Sequence, residues 1–234
     1  MWRTKPTDRF VLRWIKLRLS APLTLRLAPI SRLSPLHLTA AAAFLGCLAG
    51  LLFALGRAWQ AGCVAALAQI LDGADGQLAR LRNTASAAGA FRDSLLDRYA
   101  DGAMLGGLAI FVIREPLFGP SWLWAPAGLL ALVGSSQISY ASARAQALGL
   151  DLGPPTLASK GTRMSVMILA AWASLLWRGA PAIALLYLAL HTTAETARRL
   201  AIVSRGDRRA AARPGEGPSA EGELPAGAPR EGSA

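Results

Sequence analysis

The sequence predicts an all-α protein, an integral membrane bundle of six transmembrane helices with an N-terminal amphipathic interfacial helix. Two observations lead to this prediction. Of the 234 residues, 53% are hydrophobic and 17% are charged, against about 25% charged residues in soluble globular domains. The apolar residues are gathered in long runs, and about 20 such residues allow one helix to cross a bilayer.

Six apolar runs account for the predicted transmembrane helices. They cover residues 36–56, 58–80, 89–113, 121–143, 163–178 and 180–203. Ser34 and Pro35 precede the first run, and this pair is typical of an N-cap followed by proline at the first helical position. Gly119-Pro120 and Ala180-Pro181 mark two later helix entries in the same way.

The chain divides into three parts. Residues 1–33 form a basic segment, residues 34–205 form the six-helix domain, and residues 206–234 are rich in Gly, Pro, Ala and Glu. The last part has almost no large apolar residue, which predicts a disordered cytoplasmic tail. In the first part, residues 9–19 have a helical spacing that places the apolar side chains on one face of a helix and the basic side chains on another. We interpret this stretch as a helix in the membrane interface; a surface helix packed on protein is the alternative.

Positive charge is distributed unevenly between the two ends of the predicted bundle. The net charge is +11, and most basic residues fall in the N-terminal segment, in the turns after the second and fourth spans, or after the last span. The positive-inside rule then places both termini in the cytoplasm, in an inner or plasma membrane. Because the basic residues alternate with long apolar runs, the pattern argues against a soluble nucleic-acid-binding protein.

The segment from Leu71 to Gly102 carries the candidate chemistry. Five aspartates lie within or at the ends of its apolar spans: Asp72, Asp75, Asp93, Asp97 and Asp101. One charge at the centre of a bilayer costs about 2.5–3.5 kcal/mol on insertion scales. Water or an arginine partner would satisfy a single aspartate, but five together favour bound cations.

The spacing of these aspartates predicts that they converge. Asp72 and Asp75 are three residues apart, and Asp93, Asp97 and Asp101 recur every four residues, so each set occupies one helical face. A short turn joins the two helices, which we expect to be antiparallel neighbours. Carboxylates without histidine or cysteine select Mg²⁺, Mn²⁺ or Ca²⁺. Two such ions among four carboxylates suit phosphoryl transfer.

The same residues carry a family resemblance. From Asp72 to Asp97 the sequence reads D-x2-D-G-x2-A-R-x8-G-x3-D-x3-D. This pattern resembles the signature of the CDP-alcohol phosphotransferases, membrane enzymes that displace CMP from a CDP-linked donor with an alcohol acceptor. Every specified position is filled, and the resemblance extends over roughly residues 5–205.

The resemblance implies roles for individual residues. It implies metal ligation by Asp72, Asp75, Asp93 and Asp97, with Asp97 also the catalytic base on the acceptor hydroxyl. It implies CDP binding by Asp72, Gly76, Ala79, Arg80 and Gly89. Contact with the acceptor phosphate is implied for Arg144, Lys160 and Arg163. For Lys160 and Arg163, charge that only determines membrane topology is the alternative. The implied cofactor is Mg²⁺ (or Mn²⁺), as two ions, and the implied partners are CDP-diacylglycerol, membrane lipid and a second copy in a homodimer.

The acceptor is left open by the sequence. The stretch LDRYADG, from Leu96 to Gly102, is similar to the branch that uses inositol phosphate, and a glycerol 3-phosphate type acceptor is the other possibility. The segments KPTD and ILDGADG also resemble the domain that makes a soluble inositol phosphodiester from CDP-inositol. A cation transporter is the hypothesis from another class. It predicts acids spread over several helices through the membrane, whereas here they cluster at adjacent helix ends.

Overall fold

The computed structural model describes residues 14–115, 119–153, 156 and 159–211, with side chains described as far as residue 206. Within these ranges the secondary structure is helical, without strands, which confirms the all-α prediction. The elements are a π-helical turn Lys16–Ser20, α1 Ala21–Leu27, α2 Pro35–Ala54, α3 Ala58–Leu81, α4 Ala87–Arg114, a 3₁₀ turn Ser121–Leu123, α5 Trp124–Leu148, α6 Lys160–Ala173 and α7 Ala180–Ala211. The helices α2 to α7 overlap the six predicted spans in order.

Local signals at the helix starts explain these boundaries. Ser34 caps α2 with a capping box: its Oγ accepts from the His37 backbone N–H at 3.3 Å, and the Ser34 N–H donates to His37 Nδ1 at 3.2 Å. Pro35 is the first helical residue, as predicted. Ser86 caps α4 and Ser159 caps α6 through the same type of side-chain bond. Each of these serines satisfies backbone N–H groups that the first helical turn leaves without partners.

Small residues allow the helices to approach one another closely. The α2 helix packs along both α3 and α4, α3 packs on α6, and α5 packs on α7. A Cβ added at Gly107 would lie 2.0 Å from the backbone oxygen of Gly50, and one added at Gly134 would lie 2.3 Å from Thr192 Oγ1. Contacts of this kind, between backbones at glycine and alanine, are typical of membrane helix interfaces.

The core and the exterior are both apolar. Phe53, Met104, Leu108, Met167 and Leu185 are fully buried where α2, α4, α6 and α7 meet. Large apolar side chains also lie on the outside, including Phe44 (68% exposed), Leu129 (63%) and Leu176 (94%). Exposed apolar surface on this scale needs a covering, such as lipid or protein. By length and composition, one of the described helices, Pro35–Ala54, could cross a membrane by itself; six membrane crossings stay a prediction.

The N-terminal segment is held on α3. Arg82 donates hydrogen bonds to carbonyl oxygens at the end of α1 and in the loop that follows, at Leu27, Ala28, Ile30 and Leu33. Ser20 Oγ donates to the carbonyl of Ile70 at 2.9 Å. Trp14 on the same segment is 53% exposed. Most of the predicted interfacial helix 9–19 lies outside the described residues, and its position in the interface stays a prediction.

The C-terminal boundary differs from the predicted one. The α7 helix continues to Ala211, so residues 206–211 are helical, although the sequence predicted a disordered tail from 206. The basic and alanine residues of this stretch are good helix formers, and they extend the preceding helix without a break. Residues 212–234 lie outside the described residues.

Candidate active site

Three of the predicted aspartates converge between α3 and α4. Asp72, Asp93 and Asp97 each place a carboxylate oxygen within 4.8 Å of the other two, and all three side chains are partly buried. The sequence predicted this convergence from two short-linked helices. Both helices pack along α2, with few close backbone contacts between them, and their carboxylates meet across the space between them.

A lysine lies within this acidic group. Lys160 Nζ donates to Asp72 Oδ1 at 2.8 Å and to Asp97 Oδ1 at 2.5 Å. Lys160 is the first residue of α6, immediately after the Ser159 cap, so the start of that helix determines where the ammonium lies. The side chains of Lys160, Asp72 and Asp97 are 25%, 25% and 19% exposed. These ion pairs are therefore largely shielded from solvent.

The acidic group suits a divalent metal ion. It offers only carboxylate oxygens, the hard ligands that Mg²⁺ and Mn²⁺ prefer. The arrangement holds a positively charged group in contact with two of the carboxylates, as expected where negative charge must be compensated. The residues present therefore fit the implied metal.

Asp75 lies apart from the other three. Its side chain is buried, its Oδ2 accepts from Thr39 Oγ1 at 2.6 Å, and its Oδ1 accepts from the Gly76 backbone N–H. The Thr39 hydroxyl comes from α2, so the helix that packs on both α3 and α4 also orients this carboxylate. Asp75 is not among the residues that share the 4.8 Å group.

A cavity of about 290 Å³ opens beside Asp75 and Asp93. Four of the five residues implied in CDP binding line it: Gly76, Ala79, Arg80 and Gly89. The fifth, Asp72, lies in the acidic group and does not line this cavity. Three residues at the start of α2, Pro35, Leu36 and Thr39, complete the wall opposite. On the α3 side Gly76 and Ala79 have little bulk, and Asp75 and Arg80 flank them.

A second cavity, of about 620 Å³, lies among α4, α5, α6 and α7. Four basic residues line it, Arg98, Lys160, Arg163 and Arg199, together with seven hydroxyl side chains, Ser94, Ser136, Ser139, Tyr140, Ser142, Thr156 and Ser159. No acidic residue is among these lining side chains. The cavity is thus suited to a small polyhydroxy anion. We call it the basic cavity.

The three residues implied in acceptor binding have different positions. Lys160 and Arg163 line the basic cavity, although the Lys160 ammonium is bound to the acidic group. Arg144 is exposed and does not line either cavity. The structure does not bring Arg144 to the other two.

Sequence reasoning missed two of the four basic residues in this cavity. Arg98 contacts Asp101 at 3.6 Å and donates to Ser139 Oγ, and Arg199 reaches the cavity from α7. The buried Asp101 also contacts Arg163 at 3.5 Å. The fifth aspartate therefore pairs with arginines and does not belong to the acidic group. For Arg199 a signal existed, because Glu195 precedes it by one helical turn.

Comparison with known proteins agrees with this geometry. Residues 32–195 match the family model described as CDP-alcohol phosphatidyltransferase. The chain belongs to this transferase family. A protein of Rubrobacter xylanophilus named bifunctional IPC transferase and DIPP synthase is 38% identical over 175 residues, which are 74% of this chain and 38% of that protein. An archaetidylinositol phosphate synthase of Pyrococcus horikoshii is 31% identical over 138 residues, 59% of this chain and 69% of that protein.

Solved structures are similar over most of the chain. The phosphatidylinositol phosphate synthase of Mycobacterium tuberculosis with CDP-DAG bound has a TM-score of 0.68 and 28% identity, covering 80% of this chain and 94% of that one. The same enzyme in complex with manganese and citrate also has a TM-score of 0.68. Its manganese and the acidic group here together support dependence on a divalent metal. The chain spans only 30–38% of the length of the bifunctional relatives it matches.

Proposed function

We propose that this protein transfers a phosphatidyl group from CDP-diacylglycerol to a small phosphorylated alcohol of the inositol phosphate type, and releases CMP. One observation carries the proposal: the acidic group lies between two cavities of different chemical character. Asp93 of this group lines the smaller cavity, and Lys160, bound to Asp72 and Asp97, lines the basic cavity. A transferase needs this arrangement, because donor and acceptor must meet at one centre.

The smaller cavity suits the nucleotide part of the donor. Its α3 wall of Gly76 and Ala79 allows close approach to the backbone, and Arg80 supplies positive charge for a diphosphate. The structural neighbour of similar fold binds CDP-DAG. We propose the same donor here, with Asp72 at the junction of the nucleotide and the reacting phosphates.

The basic cavity suits the acceptor. The guanidinium groups of Arg163 and Arg199 can bind a phosphate monoester, and the serine hydroxyls can exchange hydrogen bonds with a polyol. Relatives named phosphatidylinositol phosphate synthase and archaetidylinositol phosphate synthase favour inositol phosphate over glycerol 3-phosphate. The exposed Arg144 has no part in this proposal.

The reaction forms one bond to phosphorus and breaks another. A hydroxyl oxygen of the acceptor attacks the donor phosphorus that carries the diacylglycerol. The bond from this phosphorus to the bridging oxygen breaks, and CMP leaves with the electron pair of that bond. The hydroxyl proton passes to the carboxylate of Asp97, which contacts the cavity-lining Lys160 and so lies at the edge of the acceptor site.

A divalent metal fits the same centre. Asp72, Asp93 and Asp97 would hold it, and we propose Asp75 as a further ligand from the adjacent cavity wall. When bound, two such ions supply positive charge that neutralises the diphosphate. The protein residues align the two substrates and take up the proton.

The membrane is the proposed location. We propose that α2 to α7 all cross it, with the active site and both termini in the cytoplasm, in keeping with the distribution of basic residues. The exposed apolar side chains of the described helices support this placement. We also propose a homodimer, as the family resemblance implies.

The related names also favour a second candidate. The first relatives that match are named bifunctional IPC transferase and DIPP synthase, which supports synthesis of a soluble inositol phosphodiester from CDP-inositol. The two candidates share the acidic group and the basic cavity, and they differ in whether the donor carries lipid.

A substrate panel separates these candidates. The purified protein with Mg²⁺ is offered CDP-diacylglycerol or CDP-inositol, each against inositol 1-phosphate, glycerol 3-phosphate and serine, and CMP release is measured. We expect release with CDP-diacylglycerol and inositol 1-phosphate. Release with CDP-inositol alone would favour the soluble product. A folded protein that binds no CDP would contradict both.

One substitution tests the proposed base. We expect Asp97→Asn to abolish CMP release, because an amide cannot accept the hydroxyl proton. Asp151→Asn is the matched control, since Asp151 lies exposed in the loop after α5 and accepts a local bond from the Gly153 N–H. Turnover by Asp97→Asn at the rate of the control would refute the assignment.

A further inference from the structure

A buried carboxylate on α7 lies behind the basic cavity. The side chain of Glu195 is 4% exposed, and its Oε1 accepts from Arg199 Nε at 2.8 Å and from Arg198 Nη1 at 3.4 Å. Arg199 is one helical turn further along and lines the cavity, whereas Glu195 does not. The carboxylate is therefore separated from the cavity by the arginine that it binds.

The second end of the Arg199 guanidinium is also fixed. Its Nη1 donates to the Ile138 carbonyl at 2.6 Å and to Ser142 Oγ at 2.7 Å, both on α5. The Ser142 hydroxyl in turn donates to the same Ile138 carbonyl at 2.9 Å. Acceptors on two helices thus define the plane of the guanidinium, and α5 and α7 are themselves in close contact at Gly134 and Thr192.

We infer that Glu195 is a positioning residue for the acceptor: it holds Arg199 in the orientation that binds the acceptor phosphate. This inference rests on the proposed function. Arginine side chains lose conformational freedom when they bind, and an arginine that is held in advance loses less. Glu195 does not line the cavity, so the counter-charge of Arg199 lies outside the cavity wall.

The neighbouring polar side chain on the same helix has other contacts. His191, one turn before Glu195, stacks on Tyr187, with ring centroids 5.2 Å apart, whereas Glu195 pairs with the arginines. The inference adds a function for an acid outside the aspartate signature.

The test compares Glu195→Gln with Glu115→Gln. Glu115 also accepts from an arginine, Arg178, at 3.1 Å, but this pair is remote from both cavities. For Glu195→Gln we expect the KM for inositol 1-phosphate to rise about tenfold or more, with the KM for CDP-diacylglycerol within twofold of wild type. Glu115→Gln is expected to leave both values unchanged. Equal rises in both KM values, or no change in either, would overturn the inference.

A double-substitution cycle distinguishes positioning from a general structural effect. If Glu195 acts through Arg199, Glu195→Gln adds little to the acceptor KM once Arg199→Gln is present. Independent, multiplying effects would overturn the inference. Glu195→Asp provides a milder perturbation of the same guanidinium, because it keeps the charge and shortens the side chain. We expect a smaller rise in the acceptor KM, so the inference can be tested even if Glu195→Gln folds poorly.

Binding without turnover separates this inference from the proposed function. The affinities of inositol 1-phosphate and of unphosphorylated inositol are measured by calorimetry on the wild-type protein and on Glu195→Gln. A loss of affinity confined to the phosphorylated ligand supports the inference, even if no CDP-linked donor yields CMP. Equal losses for both ligands would overturn it, even if the enzyme is an active transferase.

Discussion

The Lys160 ammonium contacts carboxylates that a metal ion would also bind, so its removal should change the affinity for the metal. The ammonium contacts Asp72 at 2.8 Å and Asp97 at 2.5 Å. An ion that binds these carboxylates must displace it. We therefore predict that Lys160→Met binds Mn²⁺ more tightly than the wild-type protein does.

The magnitude follows from the exposure of the pair. Removing one partner of a fully buried ion pair costs about 3–5 kcal/mol. Because the three side chains are 19–25% exposed, water reduces this cost, and we take about 2 kcal/mol as the energy that an incoming ion must replace. Since about 1.4 kcal/mol corresponds to a factor of ten, the Kd for Mn²⁺ is expected to fall roughly 30-fold.

The assay is a Mn²⁺ titration of the purified protein, followed by electron paramagnetic resonance of the free ion. Arg178→Met is the matched control, because it removes one positive charge that is also paired with an acid but lies far from the acidic group. We expect the control to change the Kd less than twofold. A Lys160→Met protein that binds Mn²⁺ no more tightly than wild type would refute the reasoning. In that case Lys160 and the metal do not compete for the same carboxylates.

Three further perturbations test the fold and the orientation of the site. Gly107→Val should lower the free energy of unfolding by about 3 kcal/mol, because any Cβ there meets the α2 backbone at 2.0 Å; Gly106→Val, with nothing within 4 Å of its Cβ, is the control in thermal denaturation. Thr39→Val should cost about 1.5–3 kcal/mol by removing a hydrogen bond to the buried Asp75 carboxylate, and an unchanged melting temperature would contradict this. Arg82→Met should speed proteolysis of the loop before α2, since four carbonyls lose their donor; cleavage at the wild-type rate would count against that anchoring.

Much of the architecture could be predicted from local patterns. Ser34 and Pro35 mark a helix start by their own chemistry, and the structure has a capped helix there. The long apolar runs predicted the helices, because an apolar run of this length is typical of a helix rather than of a strand. The boundary at residue 206 was missed, since a composition rich in Gly and Ala does not reveal that a preceding helix can continue through it.

The aspartate signature by itself determined the family and three of the residues that converge. Regular spacing places Asp72, Asp93 and Asp97 on defined helical faces, and two short-linked helices can then meet in few ways. Only the tertiary structure decided that α2 packs on both α3 and α4, that Asp75 bonds to Thr39, and that Lys160 lies among the carboxylates. Those contacts join residues that are far apart in the chain, and a local sequence pattern does not indicate which distant residues lie close together in space.

In the basic cavity, too, the sequence supplied the residue types and the tertiary structure decided their positions. The sequence contains the arginines of four helices, but charge alone could not tell Arg144, which is exposed, from Arg199, which a buried glutamate holds at the cavity wall. Which side of a helix faces a cavity depends on how that helix is rotated against its neighbours. That rotation is decided by packing, here by contacts such as that of Gly134 with Thr192, and therefore only by the folded chain as a whole.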